Sequence, residues 1–515
     1  MFRFPPTASL AAGLAALAAA SGPAPAEPRS AIPWLSDALI VRPPSEARPR
    51  AVPGPRPIEV SVLGAPRPLG AGLLDAAAAG LAPGLWGESS ALRLRLLIGR
   101  VRGTGVPAAQ EMLRTLMLAR LTEPRGAGTA FLLARADMLL RMGAVEEARE
   151  LLASADDRAP EVLARLFDTG LLVGDQAAAC RALGDAAGAE PRPLARIFCL
   201  ARDGDWRGAA GALSAAEAAG GLNAAEAELA RRFLGLVETR PGEAIALPDP
   251  LTPLAHVMLL SIGAGPAALA DLAPLPPAFY HHDLSPQAPP RARILAAERL
   301  VAAGGLGWPV LFAAYRMAKP AASGGVWSRA AAVQALDRAL DQGAPAAIAA
   351  ALDAADAALS PLGLRVALAQ EYHARLVALP PDPALRDSPL AELVVLGGDS
   401  PLADRLVAPD DTLTLRAALA AARGKPFPRG DARINAIAQA FSDGPAGGGH
   451  AAGLMRLIET GRPGEALIRV LADLDAGTRV DPVALAAALS VLRRLGQESA
   501  ARRIAVETLL AERRG

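Results

Sequence analysis

An all-α fold, built as a solenoid of stacked helix pairs, is what this 515-residue sequence predicts. Three observations carry the prediction. One local pattern is written three times between Phe131 and Leu213, as LLRMGAVEEARELL, LLVGDQAAACRAL and LARDGDWRGAAGAL. Each copy runs an apolar stretch into a glycine (Gly143, Gly174, Gly204) and places an alanine five residues later (Ala148, Ala179, Ala209). Glycine reaches the positive-φ conformation that ends a helix, and the small alanine lets the next helix pack closely. The copies are spaced by 31 and 30 residues (143 to 174 to 204), a helix–turn–helix period. Hydrophobic residues make up 52% of the chain but aromatics only 3%, a composition that suits close helix packing rather than sheets.

The N-terminus reads as an export signal. Arg3 supplies a positive start, Ala8 to Ala20 a short apolar core, and Ala24-Pro25-Ala26 the small residues that a signal peptidase reads. The core is too short to cross a bilayer as a helix, so a signal peptide over 1–26 is expected, cleaved after Ala26. The mature chain is then periplasmic, with no integral membrane span. Residues 27–84 read as an extended Pro/Arg-rich segment. It carries an apolar island around Trp34 and a run from Arg42 to Pro57 too rich in proline for a helix. Ile58, Val60 and Val62 alternate with polar residues and suggest one short strand.

Helices begin in earnest after Trp86, giving a first repeat block over 85–247. Ser89 or Ser90 can cap the first helix, and Pro107 fits the first turn of the next. A Pro-rich break with one short apolar helix inside it, Leu254 to Ile262, is expected over 248–290, a second repeat block over 291–423 and a Gly/Pro loop over 424–450. In the last block, 451–515, Gly461 and Gly496 stand five residues before Ala466 and Ala501.

Gly-Asp-Trp-Arg-Gly-Ala-Ala at 204–210 resembles the tetratricopeptide turn, and Gly143 to Ala148 and Gly461 to Ala466 are looser matches. The likeness covers about 131–215 and 451–515. It implies a right-handed α-solenoid whose concave face binds other proteins or peptides. The leader and the Ala-rich repeats together are similar to exported bacterial repeat proteins. The run LRLRLLIGRVRGTGVPAAQEMLRTLMLARL resembles periplasmic motility proteins that support the flagellar motor, which implies an accessory of that or another envelope machine.

Charge and motifs narrow the chemistry. Net charge is +1, so no basic excess points to nucleic acid. Only two lysines (Lys319, Lys425) stand against abundant arginine, a skew that reads as a high-GC bacterial genome. The sequence has no HExxH, GxSxG or GxxxxGK[ST] motif. His281, His282 and Asp283 are adjacent, yet they offer about two ligands where a metal site takes three or four. Glu88-Ser89 and Gly453-Leu454-Met455-Arg456 superficially resemble the two halves of a lytic transglycosylase motif. They stand far apart in sequence, and Arg456 replaces the family's glutamine. No catalytic residue, cofactor or metal is therefore expected, and a cell-wall lytic enzyme with Glu88 as its acid is the contrasting class. Two features remain. Trp308, Phe312 and Tyr315 share one helix face, with Trp327 after the next turn, and this group is read as a peptide-binding surface against the alternative of core packing. Cys180 and Cys199 stand on either side of an inter-repeat turn and form either a disulfide or two separate buried thiols. The sequence reading is thus a non-catalytic periplasmic scaffold for protein or peptide partners in the cell envelope.

Overall fold

Helix follows helix in the residues that the computed structural model describes, which are 69–512 apart from 156, 186–191, 241–244, 265–274, 318, 323 and 443–447. The expected signal peptide, the Trp34 island and the strand expected over 58–62 lie outside the described residues. The first helices are α1 (Ala91–Ile98), α2 (Pro107–Leu118), α3 (Thr129–Met142), α4 (Val145–Ser154), α5 (Pro160–Leu172), α6 (Gln176–Asp185), α7 (Pro193–Arg202), α8 (Trp206–Ala218), α9 (Ala224–Phe233) and α10 (Pro253–Ser261). After a 3-10 helix (Pro277–Leu284) come α11 (Pro290–Ala302), α12 (Trp308–Met317), α13 (Val326–Gln342), α14 (Pro345–Leu359), α15 (Arg365–Val377), α16 (Leu390–Gly397), α17 (Ala403–Leu406) and α18 (Leu413–Arg423). The chain ends in α19 (Ala432–Ala440), α20 (Gly448–Glu459), α21 (Pro463–Asp473), α22 (Pro482–Arg494) and α23 (Glu498–Leu510).

Local sequence sets these boundaries. The Ser90 hydroxyl accepts from the Arg93 N–H at 3.3 Å and starts α1. Pro107 opens α2, where its missing N–H costs nothing. Asp205 accepts from the Gly208 N–H at 2.8 Å and caps α8. Gly143 ends α3 at φ 84°, a region closed to most side chains. The alanines five residues beyond the pattern glycines (Ala148, Ala179, Ala209, Ala466, Ala501) are all fully buried. At Gly170 an added Cβ would stand 3.1 Å from the Ala179 Cβ, so α5 and α6 meet through two small residues.

Strand structure among the described residues is slight. Leu74–Asp75 (β1) pairs in parallel with Ala119–Arg120 (β2), beside two isolated bridges. Arg135, buried in α3, ties this pair to the helices. Its guanidinium donates to the Met117 carbonyl at 2.9 and 2.7 Å, to Ala119 at 3.0 Å and to Ala71 at 2.7 Å. It thereby satisfies carbonyls at the C-terminal end of α2. Burial lowers its pKa to about 10, which leaves it cationic at neutral pH.

Two large hydrophobic cores and a small third cluster of Val145, Leu172, Ala278 and Phe279 lie within residues 66–515, which form one unit. The larger draws on segments from Ala76 to Val162 and from Ile294 to Leu510. The second lies between Phe167 and Ala264 and takes the C-terminal part of the stretch 131–215. The divide between cores thus falls inside the expected block 85–247. The expected break at 248–290 supplies α10, whose Leu254 and Met258 are buried in the second core. The expected loop at 424–450 contains α19, which packs on α22. There Phe427 stacks on Phe441 at 5.9 Å, with the Arg493 and Arg502 guanidiniums 5.2 and 5.1 Å from the Phe441 ring centre.

The first helices pack directly on the last: α1 contacts α21, and α2 contacts α23. Trp86, 2% exposed, lies against Gly464, where an added Cβ would stand 2.6 Å from the indole ring. The backbone joins there too, with Glu88 N–H donating to the Gly461 carbonyl at 2.7 Å and Gly464 N–H to Leu85 at 2.8 Å. Three buried carboxylates complete the closure. Asp475 accepts the N–H groups of Arg102 (2.6 Å), Gly103 (2.8 Å) and Thr104 (3.1 Å). Glu507 accepts the Ala108 N–H at the start of α2, at 2.7 Å. Glu465 accepts from Arg469 at 2.9 Å and from Arg93 at 3.3 Å. Burial pushes the Glu465 carboxyl up, but the Arg469 and Arg93 hydrogen bonds outweigh it and hold the group below the usual range.

Arg365 anchors the other side of α23. It is 1% exposed and binds the fully buried Asp356 through Nε at 2.8 Å and a terminal nitrogen at 3.2 Å. It also donates to the Leu510 carbonyl at 2.6 Å and to Glu392. Removing Arg365 would strand the Asp356 charge in the core, a change that costs roughly 3–5 kcal/mol.

Glu507 gives this closure a pH dependence. Burial raises its pKa from 4.5 to about 7, opposed by the Ala108 hydrogen bond and the Arg503 charge and aided by Glu111. The folded state therefore binds the proton more tightly than the unfolded state. That stabilisation is fully present below pH 4.5 and is lost as pH rises through about 7. Glu507→Gln keeps an oxygen for the Ala108 N–H and cannot ionise. Thermal melts should show its stability, relative to wild type, climbing across that window and levelling off above it. A difference that does not vary with pH would show that Glu507 titrates alike in both states.

Candidate functional site

The closure leaves a cleft of about 720 Å³ lined by loops and helix ends from both ends of the chain and from its middle. That volume falls within the usual range for ligand sites. One wall is the loop Arg102-Gly103-Thr104-Gly105 between α1 and α2, held in place by Asp475. Gly103 takes φ 74° there, and the Thr104 hydroxyl donates to the Asp475 carbonyl at 2.7 Å. The last turn of α3 adds Arg141, and the turn after α21 adds Thr478 and Arg479. Ala302 and Ala303 at the end of α11, with Pro361 and Leu362 after α14, give the cleft its apolar parts. Gln110, buried in α2, spans the floor by donating to the Gly103 and Ala302 carbonyls at 3.2 and 3.1 Å.

The charge of the lining is uneven. Three arginines, Arg102, Arg141 and Arg479, stand with one carboxylate, Glu512. Thr478 donates its hydroxyl to Glu512. Arg141 donates to the Ile98 carbonyl at 3.0 Å; burial lowers its proton affinity, and Asp137 and Asp475 oppose that. Arg102 and Arg479 are exposed and form no ion pair among the described residues. Among the described residues no aromatic side chain lines the cleft. The lining combines cationic donors, backbone and small apolar surfaces.

A second cavity of about 570 Å³ lies over the Arg365–Asp356 pair, rimmed by the Pro380-Pro381-Asp382-Pro383 segment. Its cationic floor is already engaged by Asp356 and Glu392, so it offers a ligand less unspent charge.

The four aromatics read as a binding surface are placed differently from that reading. Phe312 and Tyr315 have no exposed surface. Phe312 packs edge-on against Tyr315 and Tyr372, with ring centres 6.0 and 5.8 Å apart. The Tyr315 hydroxyl donates to buried Glu298 at 2.7 Å, and Glu298 also accepts from Arg329. Both are core residues, which corrects their assignment to a groove. The i, i+4, i+7 spacing fixes a shared helix face but not which way that face points. Trp308, at the start of α12, is 36% exposed, and Trp327 is half-buried against the core. The four do not form one open surface.

Cys180 and Cys199 are joined by a disulfide with a Cα separation of 5.6 Å, linking α6 to α7. His281 and His282 lie in the 3-10 helix Pro277–Leu284. His282 is 6.3 Å from His256, measured between ring centres, and His281 stands 3.9 Å from Glu146. Among the described residues no group of three or more His, Cys, Asp or Glu is placed to hold a metal. Glu88 lies on the surface, 3.4 Å from Arg125.

The cleft residues escaped the sequence reading. Arg102 and Arg479 are 377 positions apart (479 − 102), and nothing local in the sequence announces that Asp475 reaches back to the loop beside Arg102. The Gly-Thr-Gly between two helices was the one available signal. No protein-family model, curated protein or solved structure matches the chain.

Unequal losses are expected at the start and in the middle of α12. Phe312→Ala should lower stability by about 3–5 kcal/mol in denaturant unfolding, because it opens a cavity among Tyr315, Tyr372 and Leu side chains. Trp308→Ala, at an exposed position, should cost about 1 kcal/mol or less. Equal losses at both positions would contradict the placement of this helix.

Proposed function

We propose that the protein is a non-catalytic periplasmic scaffold whose closure cleft holds a segment of a partner protein of the cell envelope. The observation that carries this reading is the cleft itself: a wide opening lined by fixed backbone, hydroxyls and unpaired cations. Such a lining can grip an extended chain through many weak contacts. In this reading the stretch 131–215 consists of tetratricopeptide-like pairs within a right-handed α-solenoid. The Cys180–Cys199 disulfide supports an oxidising compartment, since such bridges are rare in the cytosol. Export by the leader at 1–26 agrees with that. The absence of a helix long and apolar enough to cross a membrane, among the described residues, fits a partner met outside the bilayer.

The test uses the full-length chain, tagged at its C-terminus, expressed in a bacterial envelope and compared with Ala303→Trp, which places a large ring in the cleft. Wild type should capture a defined set of envelope proteins that the variant loses, at unchanged melting temperature. The same mass-spectrometric analysis reads the N-terminus of the scaffold, which should be Glu27. Identical capture by both chains would remove the cleft from the function. An intact Met1 on the envelope-associated protein would sink the export reading.

A further inference from the structure

We infer that the segment taken by the cleft is acidic: the natural ligand is an extended peptide whose carboxylates meet Arg102, Arg141 and Arg479. This inference rests on the scaffold reading and specifies the chemistry of its partner. Each of the three arginines comes from a separate part of the chain, and the fold gathers them in one lining. In the cleft, Arg102 and Arg479 have no carboxylate partner among the described residues. Two carboxylates beside them are already engaged. Asp475 accepts three backbone N–H groups and also faces the Arg141 charge, and Glu512 accepts from Thr478. The lining thus presents a surplus of cationic donors, and guanidiniums bind carboxylates in charge-assisted, often bidentate, pairs.

The rest of the lining selects among anions. Pro277, Ala302, Ala303, Pro361 and Leu362 interrupt the cations with apolar surface, which would leave a phosphodiester backbone poorly solvated. Among the described residues of the lining no aromatic ring is available to stack a base, and the net charge of +1 gives no long-range pull on nucleic acid. A peptide alternating acidic and aliphatic residues matches both kinds of lining at once. Its carboxylates pair with guanidiniums while its aliphatic side chains cover the proline and alanine surfaces.

Fluorescence anisotropy of the full-length mature chain tests this with three labelled peptides: alternating Glu and Val, the same with Gln for Glu, and the same with Lys for Glu. The Glu peptide should bind, and the Gln peptide about tenfold or more weakly. The Lys peptide should not bind, and added salt should weaken the Glu complex. Arg102→Ala with Arg479→Ala should reduce affinity for the Glu peptide by about tenfold or more, with no change for the Gln peptide. Both side chains are exposed, so a thermal melt superimposable on wild type is expected and certifies the fold. Equal binding of Glu and Gln peptides, or an unaltered double variant, overturns the acidic assignment while leaving the scaffold reading standing. Failure of all three peptides to bind, with envelope proteins still captured through the cleft, likewise overturns the acidic peptide. Failure of both assays removes the two together.

Discussion

The structure depends on one long-range constraint: carboxylates near the C-terminus hold backbone N–H groups near the N-terminus. Asp475 satisfies three donors in the loop after α1, and Glu507 satisfies one at the start of α2. These donors are otherwise orphans of a tight loop and a helix start, so burying them without acceptors would cost about 1–3 kcal/mol each. The carboxylates are equally dependent on the donors, because an unsatisfied charge in a dry interface is unfavourable. Each side makes the burial of the other tolerable. Trp86 on Gly464 and the packing of α2 on α23 then add apolar contact around a fixed polar centre.

Closure of this kind shapes what the molecule can offer a ligand. In an open helical array the terminal helices expose a face and need polar caps. Here the first and last helices of the described residues cover one another, and gaps remain between the loops around them. The cleft is such a gap, and the groups that close the chain also set its walls. Asp475 orients the backbone beside Arg102, and its own turn continues to Arg479. The cleft wall and the closure of the chain are therefore coupled through a single residue.

Local structure was legible in the sequence to the extent that it is set by neighbours. The glycine-to-alanine interval located helix ends and buried contacts over 131–215 and again near 461 and 496. Ser90 and Pro107 marked the starts of α1 and α2. Distant pairing was not legible. Asp475 looks like a surface acid in a Leu-Asp-Ala-Gly turn, and Glu507 like any helix glutamate. Within the Pro-rich stretch 248–290, the one short apolar helix read from Leu254 to Ile262 is α10. Proline there opens α10 and the 3-10 helix that follows, since its fixed φ suits a first turn. The aromatic face of α12 was read in the wrong direction because periodicity carries no inward sign. Only the partners Glu298 and Tyr372 reveal that Phe312 and Tyr315 point into the core.

The claim that carboxylate-to-backbone closure unites the two ends is tested most directly by hydrogen exchange in Asp475→Ala. Removing the carboxylate leaves the Arg102, Gly103 and Thr104 amides without their acceptor. If closure is cooperative, exchange should accelerate together across 102–118 and 498–510, segments far apart in sequence. An acceleration confined to the turn at 474–479, with α2 and α23 protected as in wild type, would contradict the account.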